Sequence, residues 1–222
     1  MQPDNMAAWS ERLGQWSEAE PRLRIATYTD EWLATKPHAM LLSQVFDGLH
    51  TVLALDLPHT VALVNEPLLE VWGKSRKAVE AVALMNTMAE PINPQTNVVQ
   101  GVPLLGVFAP HLYAGLHAQV PERHLANLGP AGALVGVPAA DAVVLHRVGD
   151  AEVGKALMIF GGVVAQIFGN APSPRTRAIH WYRPGQPARY VGNGGSDVVN
   201  GVRVTATLND EVVKELEAAA RA

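Results

Sequence analysis

Apolar positions are densest between residues 131 and 168. Two continuous Val/Leu-rich runs open that stretch, 133–137 and 142–148, and neither alternates with polar residues, which predicts strands buried on both faces. Pro138-Ala-Ala-Asp141 between them has turn composition, with its proline preset near φ −65°. A helical rhythm follows. Val153, Leu157, Phe160, Val164 and Phe168 make one stripe, and Ala156, Ile159, Val163 and Ile167 widen it past a single face. Asp150 is the expected cap of this core helix, roughly 27 Å long at 1.5 Å per residue. Gly161-Gly162 inside it costs about 1 kcal/mol per glycine relative to alanine. That loss is tolerable if bare backbone lets a neighbouring element approach closely.

Upstream the pattern is more broken. Asp4 can cap a first helix whose Trp9, Leu13 and Trp16 share a face and which ends at Pro21. Residues 22–29 alternate as a half-buried strand, while 31–48, divided by Pro37, reads as helix or strand. The β-rich runs 51–55 and 60–64 flank Asp56-Leu-Pro-His59 and predict a hairpin. Asn65 and Ser75 each open a helix. The first carries Pro67 near its start and closes at Gly73; the second groups Val79, Val82, Ala83 and Met85 and stops before Pro91. Residues 91–103, with three prolines, read as a connection holding a short strand at Val98-Val99.

A strand through Val107-Phe108, irregular chain and a short helix at 121–128 lead to the central unit. Beyond it, 176–182 and 188–191 read as a hairpin over Arg183-Pro-Gly-Gln186, and Gly192-Asn-Gly-Gly-Ser196 as a flexible turn. Residues 202–207 alternate as a strand. The closing helix, 210–222, turns Val212, Val213, Leu216 and Ala220 inward and sets Asp210-Glu211 at its positive end. The sum is a single α+β domain over 1–222, a largely antiparallel sheet with the helix at about 150–168 packed on it.

Composition narrows the functions. Hydrophobic residues make up 48% of the 222 and charged residues 17%, the balance of a folded chain. A net charge of −4 and no Lys/Arg cluster argue against nucleic acid as a partner. The chain has no cysteine, so disulfides and thiolate metal sites are excluded, in keeping with a reducing compartment. Met1-Gln-Pro-Asp-Asn5 lacks the regions of a signal peptide. The run 156–168 is short for a bilayer and contains Gln166, so no membrane is expected. These features together predict a soluble cytoplasmic protein with no cofactor.

Candidate chemistry is sparse. His111, His117 and His124 recur at spacings of six and seven, but Pro121 interrupts any shared helix and no HExxH pattern is present, so no metal site is expected. Asp141 and His146 differ by an odd number and face opposite ways on a strand; Asp56 and His59 are close only as turn neighbours. Ser196-Asp197 precedes a strand, without the helix amides that stabilise an oxyanion, and no GxSxG elbow occurs. Gly192-Asn-Gly-Gly195 is not a dinucleotide fingerprint. The densest binding-type cluster is His180-Trp181-Tyr182-Arg183. On a strand, His180 and Tyr182 share one face and Trp181 and Arg183 the other, and one of these faces is expected to be exposed.

Leu69-Glu-Val-Trp72-Gly73, Ala83-Leu-Met-Asn86, Ala133-Leu-Val-Gly-Val-Pro138, Asp141 with Val143-Val-Leu145, and His180-Trp-Tyr-Arg183 carry a resemblance. Over roughly residues 68–183 the chain resembles a YtpQ-like family of uncharacterised bacterial proteins, a domain of unknown function. Ala139-Ala140 stand where that family tends to have polar residues, so no polar site is carried over to this turn. The resemblance implies a soluble mixed α and β bacterial domain and no particular reaction. The resulting expectation is a non-catalytic binding or protein-interaction domain, acting through a protein surface or a small pocket, with a protein partner or as a homo-oligomer. Its candidate binding residues are His180, Trp181, Tyr182, Arg183, His111, His117 and Asp141. The alternative is a hydrolase whose site is assembled from His111, His117, Asp141 and His180.

Overall fold

A computed structural model of the chain describes residues 12–36, 39–198 and 202–221. It is α+β, with antiparallel sheets and one long helix. Contacts group the chain into two compact units, residues 1–44 with 50–90, and 45–49 with 91–222. The main division falls at Glu90/Pro91, where the three-proline segment begins. Asp4 and Trp9 of the expected first helix lie outside the described residues.

In the first unit, β1 (Leu23–Thr29), β3 (Leu49–Leu57) and β2 (Leu41–Phe46) lie in that spatial order, with β4 (Thr60–Leu63) also paired to β3; the end of β2 at Val45-Phe46 and the start of β3 at Leu49 belong to the second unit. The ambiguous stretch 31–48 resolves into α2 (Asp30–Leu33), after α1 (Trp16–Ala19), and β2. Two further helices form where their caps predict. Asn65 Oδ1 accepts the Leu68 amide at 3.2 Å to open α3 (Glu66–Trp72), which Gly73 closes at φ 61°. Ser75 Oγ accepts the Ala78 amide at 3.3 Å to open α4 (Arg76–Ala89).

The buried line of α4 is Val79, Ala83 and Thr87, at i, i+4 and i+8. Met85 does not belong to it: six residues past Val79 it points about 120° away, and it is 64% exposed. Thr87 joins the helix to β1. Its hydroxyl donates to the Ala83 carbonyl at 2.7 Å and accepts the Ile25 amide at 2.8 Å.

The second unit is a seven-stranded sheet, antiparallel at every pairing, in the order β11-β10-β9-β7-β8-β6-β5. Its strands are β5 (Asn93–Val99), β6 (Val102–Phe108), β7 (Ala133–Ala139), β8 (Ala142–Arg147), β9 (Ala178–Tyr182), β10 (Arg189–Val198) and β11 (Val202–Leu208). The supposed connection at 91–103 is the first hairpin of this sheet. Gln100 (φ 49°) and Gly101 (φ 82°) form its two-residue turn with the positive φ values of type I′. Glutamine is an unusual residue there, so the sequence carries no turn signal.

The residues expected as a flexible turn after Val191 instead continue β10, paired to β11 from Gly192↔Leu208 onward. The glycines serve close approach rather than flexibility. A Cβ on Gly194 would sit 2.1 Å from the Gly161 carbonyl oxygen of α5 (Val153–Asn170). A Cβ on Gly192 would lie 2.2 Å from the Thr207 carbonyl.

Both faces of the sheet are covered. Leu134, Val144, Ile179 and Trp181 pack with α5 and α6 (Asp210–Arg221), while Val135, Val137, Val143 and Leu145 pack under Phe46, Leu49 and Ala118. Helix α5 is capped by Glu152, whose carboxylate accepts the Gly154 and Lys155 amides at 2.9 and 2.8 Å; Asp150, the expected cap, pairs with Arg147 instead. By length and composition α5 would suffice to cross a bilayer, contrary to the shorter run read from sequence, but half of it is buried within this unit. The helix expected at 121–128 shrinks to a 3₁₀ turn, Pro121–Arg123.

Candidate functional site

Within the first unit, α2, the chain after it and β4 enclose an open cleft of about 530 Å³. Thr29 Oγ1 accepts the Trp32 amide at 3.3 Å, which starts α2 directly after β1 and fixes where Trp32 lies. The indole stacks on Tyr28, centroids 3.9 Å apart and planes 12° from parallel. Lys36 Nζ stands 5.6 Å from the same indole. Thr35, Ala39, Val61, Leu63 and Asn65 complete the described lining. Asn65 is held by its cap bond to Leu68, and Thr35 by a bond from its hydroxyl to the Trp32 carbonyl at 2.7 Å. This described lining holds neither a carboxylate nor an imidazole. It offers an aromatic wall, an aliphatic floor and one ammonium, which suits recognition of an apolar or aromatic body with a negative group.

The residues singled out from sequence all lie in the second unit. His111 uses both ring nitrogens: Nδ1 accepts the Tyr113 amide at 3.2 Å, which leaves Nε2 to donate to the Pro91 carbonyl at 3.1 Å. His117 is buried, with Nδ1 3.0 Å from His124 Nε2 and its own Nε2 unpartnered. Burial first, then the nearby His124, His111 and Arg123, push the His117 pKa down to about 4. His124 is also lowered, by burial and then Arg123, with Glu122 opposing. The pair is therefore neutral near pH 7, one ring donating and the other accepting.

His180 is 1% exposed, and neither ring nitrogen has a partner. It lies flat on Phe46 at 4.2 Å and edge-on to Tyr190 at 5.9 Å. Burial alone brings its pKa to about 4. The expected exposed face of β9 is absent, because helices cover one side of the sheet and Phe46 with its neighbours the other. Trp181 is 1% exposed, its Nε1 donates to the Ala131 carbonyl at 2.7 Å, and Arg183 lies 4.1 Å over its ring. Tyr182 donates its hydroxyl to Glu122 at 3.0 Å.

Asp141 sits in the turn between β7 and β8, half-buried, where its backbone carbonyl accepts the Ala109 amide at 2.9 Å. Among the described residues, no hydrogen bond or ion pair joins His180 or Asp141 to His111 or His117. Nor does any group of three or more His, Cys, Asp or Glu side chains among them suit a metal ion.

No protein-family model, curated protein or solved structure matches the chain. The cleft was not legible in the sequence, because its described lining comes from two separated stretches, Trp32 to Ala39 and Val61 to Asn65, the first of them in the stretch that reads equally as helix or strand. The one available signal was the aromatic pair Tyr28 and Trp32, four residues apart across a strand–helix junction.

Proposed function

We propose that the chain is a soluble, cytoplasmic, non-catalytic binding protein whose ligand occupies the cleft beside Trp32. One observation carries this reading: Trp32, backed by the stacked Tyr28 ring, and Lys36 line a cleft of about 530 Å³, within the roughly 300–1,000 Å³ of small-molecule sites. An aromatic wall already held by a second ring loses little conformational freedom on binding, which favours affinity. The described lining sets no carboxylate or imidazole beside Lys36 and Thr35 to act as a partner acid or base, which fits binding better than turnover.

The anionic aromatic dye 8-anilinonaphthalene-1-sulfonate is a suitable probe, with a ring system for Trp32 and a sulfonate for Lys36. Saturable one-to-one binding to the native chain is expected. It should fall at least about tenfold in Trp32→Ala, the loss of about 1.4 kcal/mol, and less in Lys36→Gln, with circular dichroism unchanged. Dye binding that Trp32→Ala leaves intact would remove the cleft from the account.

A further inference from the structure

We infer that β5 is the seam of a two-fold homodimer, in which a second copy of this chain adds its own β5 antiparallel to the first. The inference stands apart from the cleft. β5 is an end strand of the seven-stranded sheet and pairs only with β6 among the described residues. All but the last of its residues are exposed, Val98 by 68%.

The hairpin register shows which backbone groups are free. Val99 and Val102 flank a two-residue turn, so they exchange both of their hydrogen bonds. Counting back by two, Asn97, Gln95 and Asn93 also bond to β6. Pro94, Thr96 and Val98 therefore turn their backbone groups outward. Pro94 lacks only an amide that β6 never uses, which is where an edge strand tolerates proline.

That edge is short and symmetric. Pro94 ends the run of outward donors on one side, and the turn at Gln100-Gly101 ends it on the other. What is left is two complete donor–acceptor sets, on Thr96 and Val98, with Asn97 between them. A two-fold axis through Asn97 pairs Thr96 with Val98 of the second copy and Val98 with its Thr96, which uses every outward amide of the seam in four hydrogen bonds. The contact is isologous, as a closed dimer requires.

Charge also selects a copy of the same strand. Residues 91–121 contain no Asp, Glu, Lys or Arg, so the hairpin itself sets no like charge against a second copy, and Lys155, whose Nζ stands beside Gly101, lies at the turn beyond the paired residues. The charged residues that normally guard an open edge are missing here. Four bonds and one narrow strand bury less than the about 1,200 Å² of a standard interface, so the dimer is weak and dissociates on dilution.

A single cysteine tests the register, because the chain has none of its own. Asn97 would face its counterpart in a non-hydrogen-bonded pair, with Cα atoms about 4.5 Å apart, within disulfide reach. Asn97→Cys under mild oxidation should give a covalent dimer. Gln95→Cys, four residues out of register with its own copy, should not. In sedimentation equilibrium the wild-type chain should show a concentration-dependent dimer. Thr96→Pro, which removes an outward amide and spares the ladder to β6, should shift it to monomer at the same concentration. Val98→Lys provides a second variant with no backbone change, and it too should be monomeric.

A wild-type chain that stays monomeric to about 1 mM overturns the seam, as does a dimer unmoved by both variants. Equal cross-linking of the two cysteine variants overturns the register. An edge that captures only a foreign extended peptide, with no self-association, also overturns the homodimer.

Discussion

His180 is a titratable ring kept where its charge has no counterpart. Unfolded, an imidazole takes its proton near pH 6.5; in the folded chain burial delays this to about pH 4. Above pH 6.5 both states are neutral and stability does not depend on this group. As pH falls from 6.5 to 4 the unfolded chain takes up the proton first, so stability drops, by about 3 kcal/mol in all, and then levels. His180→Phe keeps a flat ring against Phe46 and removes two unpaired polar atoms. It should match or exceed the wild type at pH 7 and lose about 3 kcal/mol less between pH 6.5 and 4, read by urea unfolding at each pH. An unchanged pH slope would mean that the proton is taken up elsewhere. The sequence marked His180 as a binding residue because its neighbours are aromatic; that its strand is covered on both faces depends on Phe46, more than 130 positions away, which no local pattern encodes.

At the scale of elements, the contact between α5 and β10 is backbone against backbone at Gly161 and Gly194. The two glycines are not equivalent. A Cβ on Gly161 meets Ile179 Cδ1 at 3.2 Å and Gly194 Cα at 3.3 Å, so small shifts admit it, and alanine adds about 1 kcal/mol of helix propensity. A Cβ on Gly194 meets a carbonyl oxygen at 2.1 Å, and that oxygen belongs to the helix itself. Thermal or urea unfolding should place Gly161→Ala within about 1 kcal/mol of wild type. Gly194→Ala should cost about 3 kcal/mol or more, the upper end for overpacking. Similar losses in both would argue against this close approach.

Elements with a strong apolar pattern or a clear cap were legible, notably the continuous runs of the buried strands β7 and β8, the helix α5 and the capped helices α3 and α4. Where the reading failed, one residue type had two uses. Glycines at 192–195 look like a turn but permit packing, prolines at 91–103 look like a linker although Pro94 and Pro103 lie in the two strands of a hairpin, and Glu152 caps a helix that Asp150 was better suited to cap.

Across the whole molecule, burial alters charge. Of the eight histidines, His117, His124, His146 and His180 all have lowered pKa values, and Glu152 is held below the usual carboxylate range by the Lys155 and Gly154 amides. Near pH 6 the folded chain therefore carries less positive charge than the isoelectric point of about 6.0 expected from the sequence implies. Native isoelectric focusing should give a point about half a unit lower than focusing in urea, where the histidines return to near 6.5. Coincident values would show that these rings titrate normally in the folded chain.

Trp181 carries one more consequence. Trp16, Trp32 and Trp72 belong to the first unit, and Trp181 alone among the described tryptophans to the second. Its indole is sealed from water, hydrogen-bonded to a single carbonyl and lies beneath a guanidinium. Such an indole emits at shorter wavelength than one in contact with solvent, and so the second unit carries an optical label of its own.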